Sequence, residues 1–367
     1  MAGQIIKRGD NTWLVRIYLG RGADGKRQYQ NHTVHGVKKS AQKWLNNALT
    51  KKDVGIPTFQ SKVSLGDYLD RWLKDVAKPR VSEQTFRGYS VQLNRVKREI
   101  GQTRLTHLRP EDVQSFYSDL SSSTARHAHA PLRSALSQAV KWHMIHANPC
   151  DLVDLPRHET AEIQSLTREE AGRLMAVENR YRVVFAFLLT SGARPSEAFG
   201  LKWSDIDMER GVVSVQRSLQ WHSKKEGGGW FYAEPKTKTS RRTVPLPSSI
   251  IGQLKAHRAT QAEALLKLGV RTDIMFANSE GTPILRRNLV RRHFKPALLM
   301  AGLPGELSLY CLRHTCASLL LQAGVHPKVV AERLGHSSTR LTMDVYSHVA
   351  PGMQAEATAQ LERMLYG

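Results

Sequence analysis

Tyr346 stands ten residues beyond a Gly335-His336 turn, near the end of a 367-residue chain. A phenol that attacks a phosphodiester stays bonded to the phosphorus, so the bond's energy is kept until a later hydroxyl displaces it. A free phenol titrates near ~10, so such an attack needs donors aimed at the non-bridging oxygens to make the phosphate electrophilic. Arg194, in Ser191-Gly192-Ala193-Arg194-Pro195-Ser196-Glu197, and Arg313, in Leu312-Arg313-His314-Thr315, suit that task. A guanidinium offers planar paired donors and stays charged. His336 adds one more donor. Taken singly, an arginine more often forms a salt bridge and a Gly-His turn more often caps a helix. The combination, followed by a tyrosine, points to phosphate chemistry.

Such chemistry needs a means of holding a polyanion. The chain carries 54 Lys+Arg against 32 Asp+Glu, a formal charge of +22. Residues 1–60, 61–157 and 158–367 carry +8, +5 and +9, so the charge is no detachable tail. Phosphate contacts release counterions, and nucleic acid is the partner this favours. Length and 41% apolar content suit two or three domains. Cys150, Cys311 and Cys316 have no paired metal-ligand spacing and read as reduced thiols. The N-terminus lacks an apolar signal region, and the longest strongly apolar run, Val183 to Leu189, is too short for a bilayer. A cytoplasmic location without a membrane is expected.

Residues 12–34 alternate and turn, with Trp13, Val15 and Ile17 on one side and Arg16 and Tyr18 on the other. They read as a hairpin or three short strands, with a helix from Ser40 to Leu49 covering them. Arg16, Lys26 and Arg27 make this sheet basic enough to enter a major groove. A linker around Val54 to Thr58 leads to a helical pattern. Helices are expected from Ser64, over Ser82 to Ile100, Pro110 to Leu120 and Ala130 to His146, with Arg87 and Arg95 among the cations of the second. A joint near Pro156 to Thr160 opens the last segment. It reads as a capped helix after Thr167, a buried helix from Tyr181 to Thr190, and strands at Val212 to Val215, Trp230 to Ala233 and Arg241 to Leu246 in one small sheet. Further helices follow at Ser248 to Leu268, Arg286 to Ala301, Tyr310 to Ala323 and Pro327 to Leu334.

The Arg194 motif resembles the first arginine box of the tyrosine recombinases, the phage-integrase family. Leu312-Arg313-His314-Thr315 resembles the second box, and Leu334-Gly335-His336 with Tyr346 the nucleophile end. Order and spacing match, as does the intervening hairpin from Pro235 to Pro245. The resemblance spans 160–350 and implies an arm-binding domain over 1–57, a helical core-binding domain over 62–157 and a mainly α catalytic domain over 160–367. It implies strand cleavage through a 3′-phosphotyrosyl link, exchange through a four-way junction, and a homotetramer on double-stranded core and arm attachment sites. Host DNA-bending and excision factors are further partners of such enzymes. No cofactor or metal is implied. The tail from Gln354 to Leu365 would dock on a neighbouring protomer or form an ordinary intramolecular helix.

Lys236 matches the family's lysine, the general acid that protonates the leaving oxygen. Lys238, two residues along the same strand face, competes for that role. Lys238 and Arg241 otherwise extend the DNA-contacting set. Glu197 matches the acidic residue of the first box and suits orienting Arg194 or the histidine turn better than proton transfer. One position departs from the pattern: Tyr310 stands where the family usually has histidine, and a phenol can donate a hydrogen bond but carries no positive charge. His314, adjacent to Arg313 on a helix, points about 100° away and is a poor substitute. Asp205 and Asp207 alone read as a turn feature. Two rivals share some features. A type IB topoisomerase uses similar chemistry, and a non-catalytic DNA-binding regulator would explain Tyr310. The basic N-terminal module favours the integrase over the first, and the retained site residues favour it over the second.

Overall fold

The computed structural model describes residues 3–21, 25–53, 63–157, 164–222, 228–234, 241–336, 338–339 and 353–366. Two units are present, Met1–Thr160 and Ala161–Gly367. The first contains a three-stranded antiparallel sheet, β1 (Gly3–Gly9), β2 (Thr12–Arg21) and β3 (Arg27–His35), followed by α1 (Lys38–Asp53). Val15 and Ile17 are fully buried with Ala41, Leu45 and Ala48 of α1. Successive strand residues face opposite sides, so Arg16 and Tyr18 lie on the face away from α1. The expected strands over 12–34 omit β1. Its Ile5-Ile6 pair shows no alternation, and the strand is specified by its pairing with β2, where Ile5 lies opposite Val15.

The same unit holds a second core built on α2 (Leu65–Trp72), α3 (Glu83–Ile100), α4 (Pro110–Ser118) and α5 (Ser122–Lys141). The α2 helix continues into a wider π-helical turn, Leu73–Ala77. Ser64, Ser82 and Ser121 cap α2, α3 and α5, each accepting a backbone N–H three residues ahead. The expected helix over Ala130 to His146 is corrected at both ends. Pro131 lies inside α5, where buried Ala125, Ala128, Leu132 and Leu136 hold one continuous face across it. The helix stops at Lys141, and His143, at φ 54°, turns the chain.

In the second unit a capping box at Thr167 starts α6 (Arg168–Ala176), followed by α7 (Arg182–Ser191) and the short α8 (Pro195–Ala198). Val184 to Leu188 of α7 are buried, and Phe185 and Phe187 meet Phe294 and Phe276 edge-on, each pair with centroids 5.3 Å apart. Each such side chain contributes about 1.5–3 kcal/mol by leaving water. Among the described residues five strands follow: β4 (Ile206–Asp207), β5 (Val212–Val215), β6 (Ser218–Trp221), β7 (Trp230–Ala233) and β8 (Arg242–Pro245). They form two sheets, β4-β5-β8 and β6-β7, where one was expected. β6, with only Leu219 buried, lacks the apolar run that marked the others.

The remaining helices are α9 (Ser248–Leu266), α10 (Arg286–Leu289), α11 (Lys295–Met300), α12 (Cys311–Gln322), α13 (Pro327–Leu334) and α14 (Met353–Tyr366). The helix expected over Arg286 to Ala301 is interrupted by a π-helical turn, Val290–Phe294, just before Pro296, whose missing N–H cannot continue the ordinary ladder. Cys150, Cys311 and Cys316 are buried free thiols. Burial pushes Cys150 and Cys311 up to about 12, and raises Cys316. Among the described residues no helix is long and apolar enough to cross a membrane.

Candidate active site

The turn that ends α7 fixes two arginines at once. Gly192, at φ 65°, closes the helix in the left-handed region, and a Cβ there would stand 2.6 Å from Leu334 Cδ2, so both conformation and space require glycine. Its carbonyl accepts Arg313 Nη1–H at 2.7 Å, holding a guanidinium that is only 4% exposed. Two residues on, Arg194 begins α8. Its backbone N–H donates to Glu197 Oε2 at 2.9 Å and its Nη1–H to Glu197 Oε1 at 2.8 Å. Sequence positions 194 and 313 are thereby oriented from one backbone turn.

Glu197 is buried and takes a second cation. Arg242 Nη2 donates to Glu197 Oε2 at 2.9 Å, and Arg242 Nε donates to the Arg333 carbonyl at 2.6 Å. Arg194 Nη2 reaches the Gly335 carbonyl at 3.4 Å, and Arg333 Nη2 donates to the carbonyls of Thr190 and Pro245 at 2.8 and 2.9 Å. These contacts tie α8, β8 and the end of α13 into one network around the histidine turn. Arg242 and Arg333 were absent from the expected site. For Arg242 a signal existed: period-two alternation in β8 puts it on the side of buried Val244, whereas Arg241 is exposed.

The network sets charge as well as position. Burial alone would raise the Glu197 carboxyl, but the hydrogen bond and charge of Arg242, with those of Arg194, outweigh it and hold the group below its usual value. His336 moves down to about 4, through burial first and then the charges of Arg313, Arg194 and Arg242 and the neighbouring His314. Its imidazole is neutral at pH 7. A neutral ring still carries one N–H, so it can donate to a phosphate oxygen placed among the arginines. His314 is lowered by burial and then by Arg313. It follows Tyr310 by one helical turn, its N–H donating to the Tyr310 carbonyl at 3.1 Å. The i,i+4 spacing of Tyr310 and His314 was the sequence signal that could have drawn His314 in.

Tyr310 precedes α12, half-buried, with Arg286 Cζ 5.2 Å from its ring centroid. Arg194, Glu197, Arg313 and His336 are thus brought together. Lys236, Lys238 and Tyr346 lie outside the described residues. Of the expected DNA-contacting residues, Arg16 donates to Asn31 Oδ1 at 3.1 Å and stacks its guanidinium 5.2 Å from the Tyr29 ring centroid. Lys26 and Arg27 are exposed, Arg87 pairs with Glu83 at 2.8 Å, Arg95 is half-buried, and Arg241 lies 3.7 Å from Glu234. Asp205 is engaged by Arg217 and by the Lys202 N–H, and Asp207 closes a turn by accepting the N–H groups of Glu209 and Arg210.

The description of the phage integrase family matches residues 164–353, just over half of the chain. The chain belongs to the phage integrase family. A second match, to the phage integrase N-terminal SAM-like domain, covers 64–121. The resemblance read from three motifs is borne out, and so is the activity class that membership carries, a DNA strand transferase of the tyrosine-recombinase type. A tyrosine recombinase XerC-like protein of Caldanaerobacter subterraneus subsp. tengcongensis is 31% identical, with 97% of each chain covered. Among solved structures, the Tn1549 transposon integrase in complex with transposon right end DNA superposes with TM-score 0.68 at 20% identity, over 82% of this chain and 99% of that one. A lambda integrase tetramer bound to a Holliday junction gives 0.60 at 17% identity, over 95% of each. The expected multidomain, mainly helical fold with a small N-terminal sheet agrees with these neighbours.

Proposed function

We propose that this integrase recombines specific DNA sites with Tyr346 as nucleophile. Tyr346 attacks the scissile phosphate while Arg194, Arg313 and His336 donate to its non-bridging oxygens, giving a 3′-phosphotyrosyl link and a free 5′-hydroxyl. Lys236 protonates the departing oxygen, with Lys238 the competing donor. A 5′-hydroxyl from the partner duplex then reverses the step, and repetition on the second strand pair passes through a Holliday junction. The observation that carries this reading is that Arg194, paired with buried Glu197, reaches the Gly335 carbonyl of the histidine turn while Arg313 is held by the adjacent Gly192 carbonyl. Preorganised donors of this kind stabilise charge that develops only in the transition state.

The surrounding parts follow from that chemistry. The sheet face bearing Arg16 and Tyr29 reads arm sites, and the helical module holds the core site. The assembly is a tetramer on DNA in the bacterial cytoplasm, assisted by host bending and excision factors. Leu361, Met364, Leu365 and Tyr366 of α14 are exposed apolar side chains. Their exposure supports docking of this helix on a neighbouring protomer.

A nicked suicide substrate tests the nucleophile. The wild-type chain should form a covalent adduct that maps to Tyr346, and Tyr346→Phe should bind the same DNA without forming it. An adduct in the Phe variant would reject the assignment.

A further inference from the structure

The second unit contains a cavity of about 690 Å³ between α9 and the segments that flank it. No step of strand exchange set out above uses it. Its walls follow from backbone pairing: the Trp203 N–H donates to the Asp273 carbonyl at 2.8 Å and the Met275 N–H to the Leu201 carbonyl at 2.9 Å, laying the chain after α9 beside residues 201–203. Gly269, at φ 66°, turns that chain, and the Val270 N–H closes the turn on the Leu265 carbonyl at 3.0 Å. Trp203 is tied to the helix by its indole Nε1–H, which donates to Gln261 Oε1 at 2.9 Å. The polar atom is satisfied, so the ring adds apolar surface to the wall.

The lining is divided between apolar and charged side chains. Trp203, Leu265, Leu266 and Val270 supply the apolar part. Leu266 is 73% exposed, and Leu268 beyond it 63%; apolar side chains left open at a polar rim mark a binding surface. Two carboxylates of the lining are already engaged, Asp273 by Lys202 at 2.6 Å and Glu263 by Lys267 at 2.8 Å. Two guanidiniums are not: Arg258 Cζ lies 5.4 Å from the Trp203 ring centroid, Arg271 is exposed, and neither meets a carboxylate among the described residues. The cavity thus offers apolar surface beside two uncompensated positive charges, at a volume within the ~300–1,000 Å³ range of small-molecule sites. A DNA backbone matches it poorly, having nothing apolar to set against Leu266 and meeting Glu263 and Asp273 on approach.

We propose that this cavity binds an amphipathic organic anion, whose apolar body rests on Trp203, Leu265, Leu266 and Val270 while its single acidic group pairs with Arg258 and Arg271. A guanidinium suits that group because its planar N–H pairs match two oxygens at once. The apolar part supplies affinity through area removed from water, and the acidic part discriminates against neutral molecules of the same shape. Nothing in this assignment depends on which residue cuts DNA.

The probe is anilinonaphthalene sulfonate, which fluoresces when its rings leave water, titrated into the full chain beside phenylnaphthylamine, the same ring system without the sulfonate. One saturable site for the sulfonate is expected, with the neutral compound bound about tenfold more weakly. Leu266→Asp, Arg258→Gln and Arg271→Gln all change exposed positions, so the fold should tolerate them. Leu266→Asp should weaken sulfonate binding about tenfold, and each arginine variant about threefold. Equal binding of the two compounds, or unchanged affinity in all three variants, overturns the proposal. Rival occupants are read in the same titration. Displacement of the probe by a short duplex would make this a DNA-contacting face, and loss of probe binding as protein concentration rises would make it an interface between copies; either result overturns the proposal. A mobility shift on that duplex, expected to be the same in the three variants as in wild type, reports DNA binding separately from the cavity.

Discussion

Glu197 and Arg242, 45 residues apart, form an ion pair at 2.9 Å in which each side chain is 7% exposed. Because Glu197 also holds Arg194, removing the carboxylate strands two cations. Glu197→Ala should lower stability by about 3–5 kcal/mol, the usual result of breaking a buried pair, measured by denaturant unfolding. Loss of less than 1 kcal/mol would mean that the pair is solvated in solution.

The pH dependence of that contribution has a definite sign. The folded Glu197 carboxyl lies below its ordinary value, so its stabilisation is complete above the unfolded pKa of about 4.3 and disappears as pH falls through the folded value. The acid limb of the stability profile should therefore be shallower in Glu197→Gln than in wild type. Equal limbs would place the acid sensitivity in other carboxylates.

His336 acts in the same direction, over a higher pH window. Its folded value of about 4 lies below the ~6.5 of a free imidazole, so the unfolded state takes the proton first and stability declines as pH falls through that window. A phosphate among the arginines adds negative charge and favours the imidazolium. NMR titration should find His336 near 4 in the free chain and higher in the DNA complex. A free-chain value near 6.5 would contradict the burial and the three guanidiniums described above.

Gly335 ends α13 at φ 67°, and a Cβ there would stand 2.8 Å from Arg242 Nη1. Gly324, at φ 77°, has open space around the same position. Alanine at either site incurs left-handed strain of about 1–2 kcal/mol, but only Gly335→Ala displaces Arg242. Strand cleavage should fall at least tenfold, in order of magnitude, in Gly335→Ala and stay near wild type in Gly324→Ala. Equal activities would detach the histidine turn from Arg242.

Tyr310→Phe keeps the ring beside Arg286 and removes the hydroxyl. Stability should change by less than about 0.5 kcal/mol, while cleavage drops by roughly 100-fold if the hydroxyl donates to the phosphate. Unchanged cleavage would assign Tyr310 to ring packing alone.

Local signals carried much of this fold into the sequence. Ser64, Ser82 and Thr167 mark helix starts because capping is chemistry within three residues. Val15 and Ile17 mark a buried sheet face because strand alternation is local as well. β1 and β6 were not legible, since their stabilisation comes from pairing with distant strands rather than from their own pattern. In the site, Arg194, Arg313 and His336 announce themselves by motif. Arg242 does not, because its role depends on a carboxylate and a carbonyl brought from Glu197 and Arg333.

The burial of Cys150, Cys311 and Cys316 has a practical corollary. Alkylation requires an accessible thiolate, and all three native thiols are shielded and held largely protonated at neutral pH. A cysteine introduced in place of Lys236 or Lys238 can be treated with bromoethylamine, whose alkylation of a thiol builds a lysine analogue. The wild-type chain therefore already supplies the shielded background needed to ask, by chemical restoration, whether either amine delivers a proton.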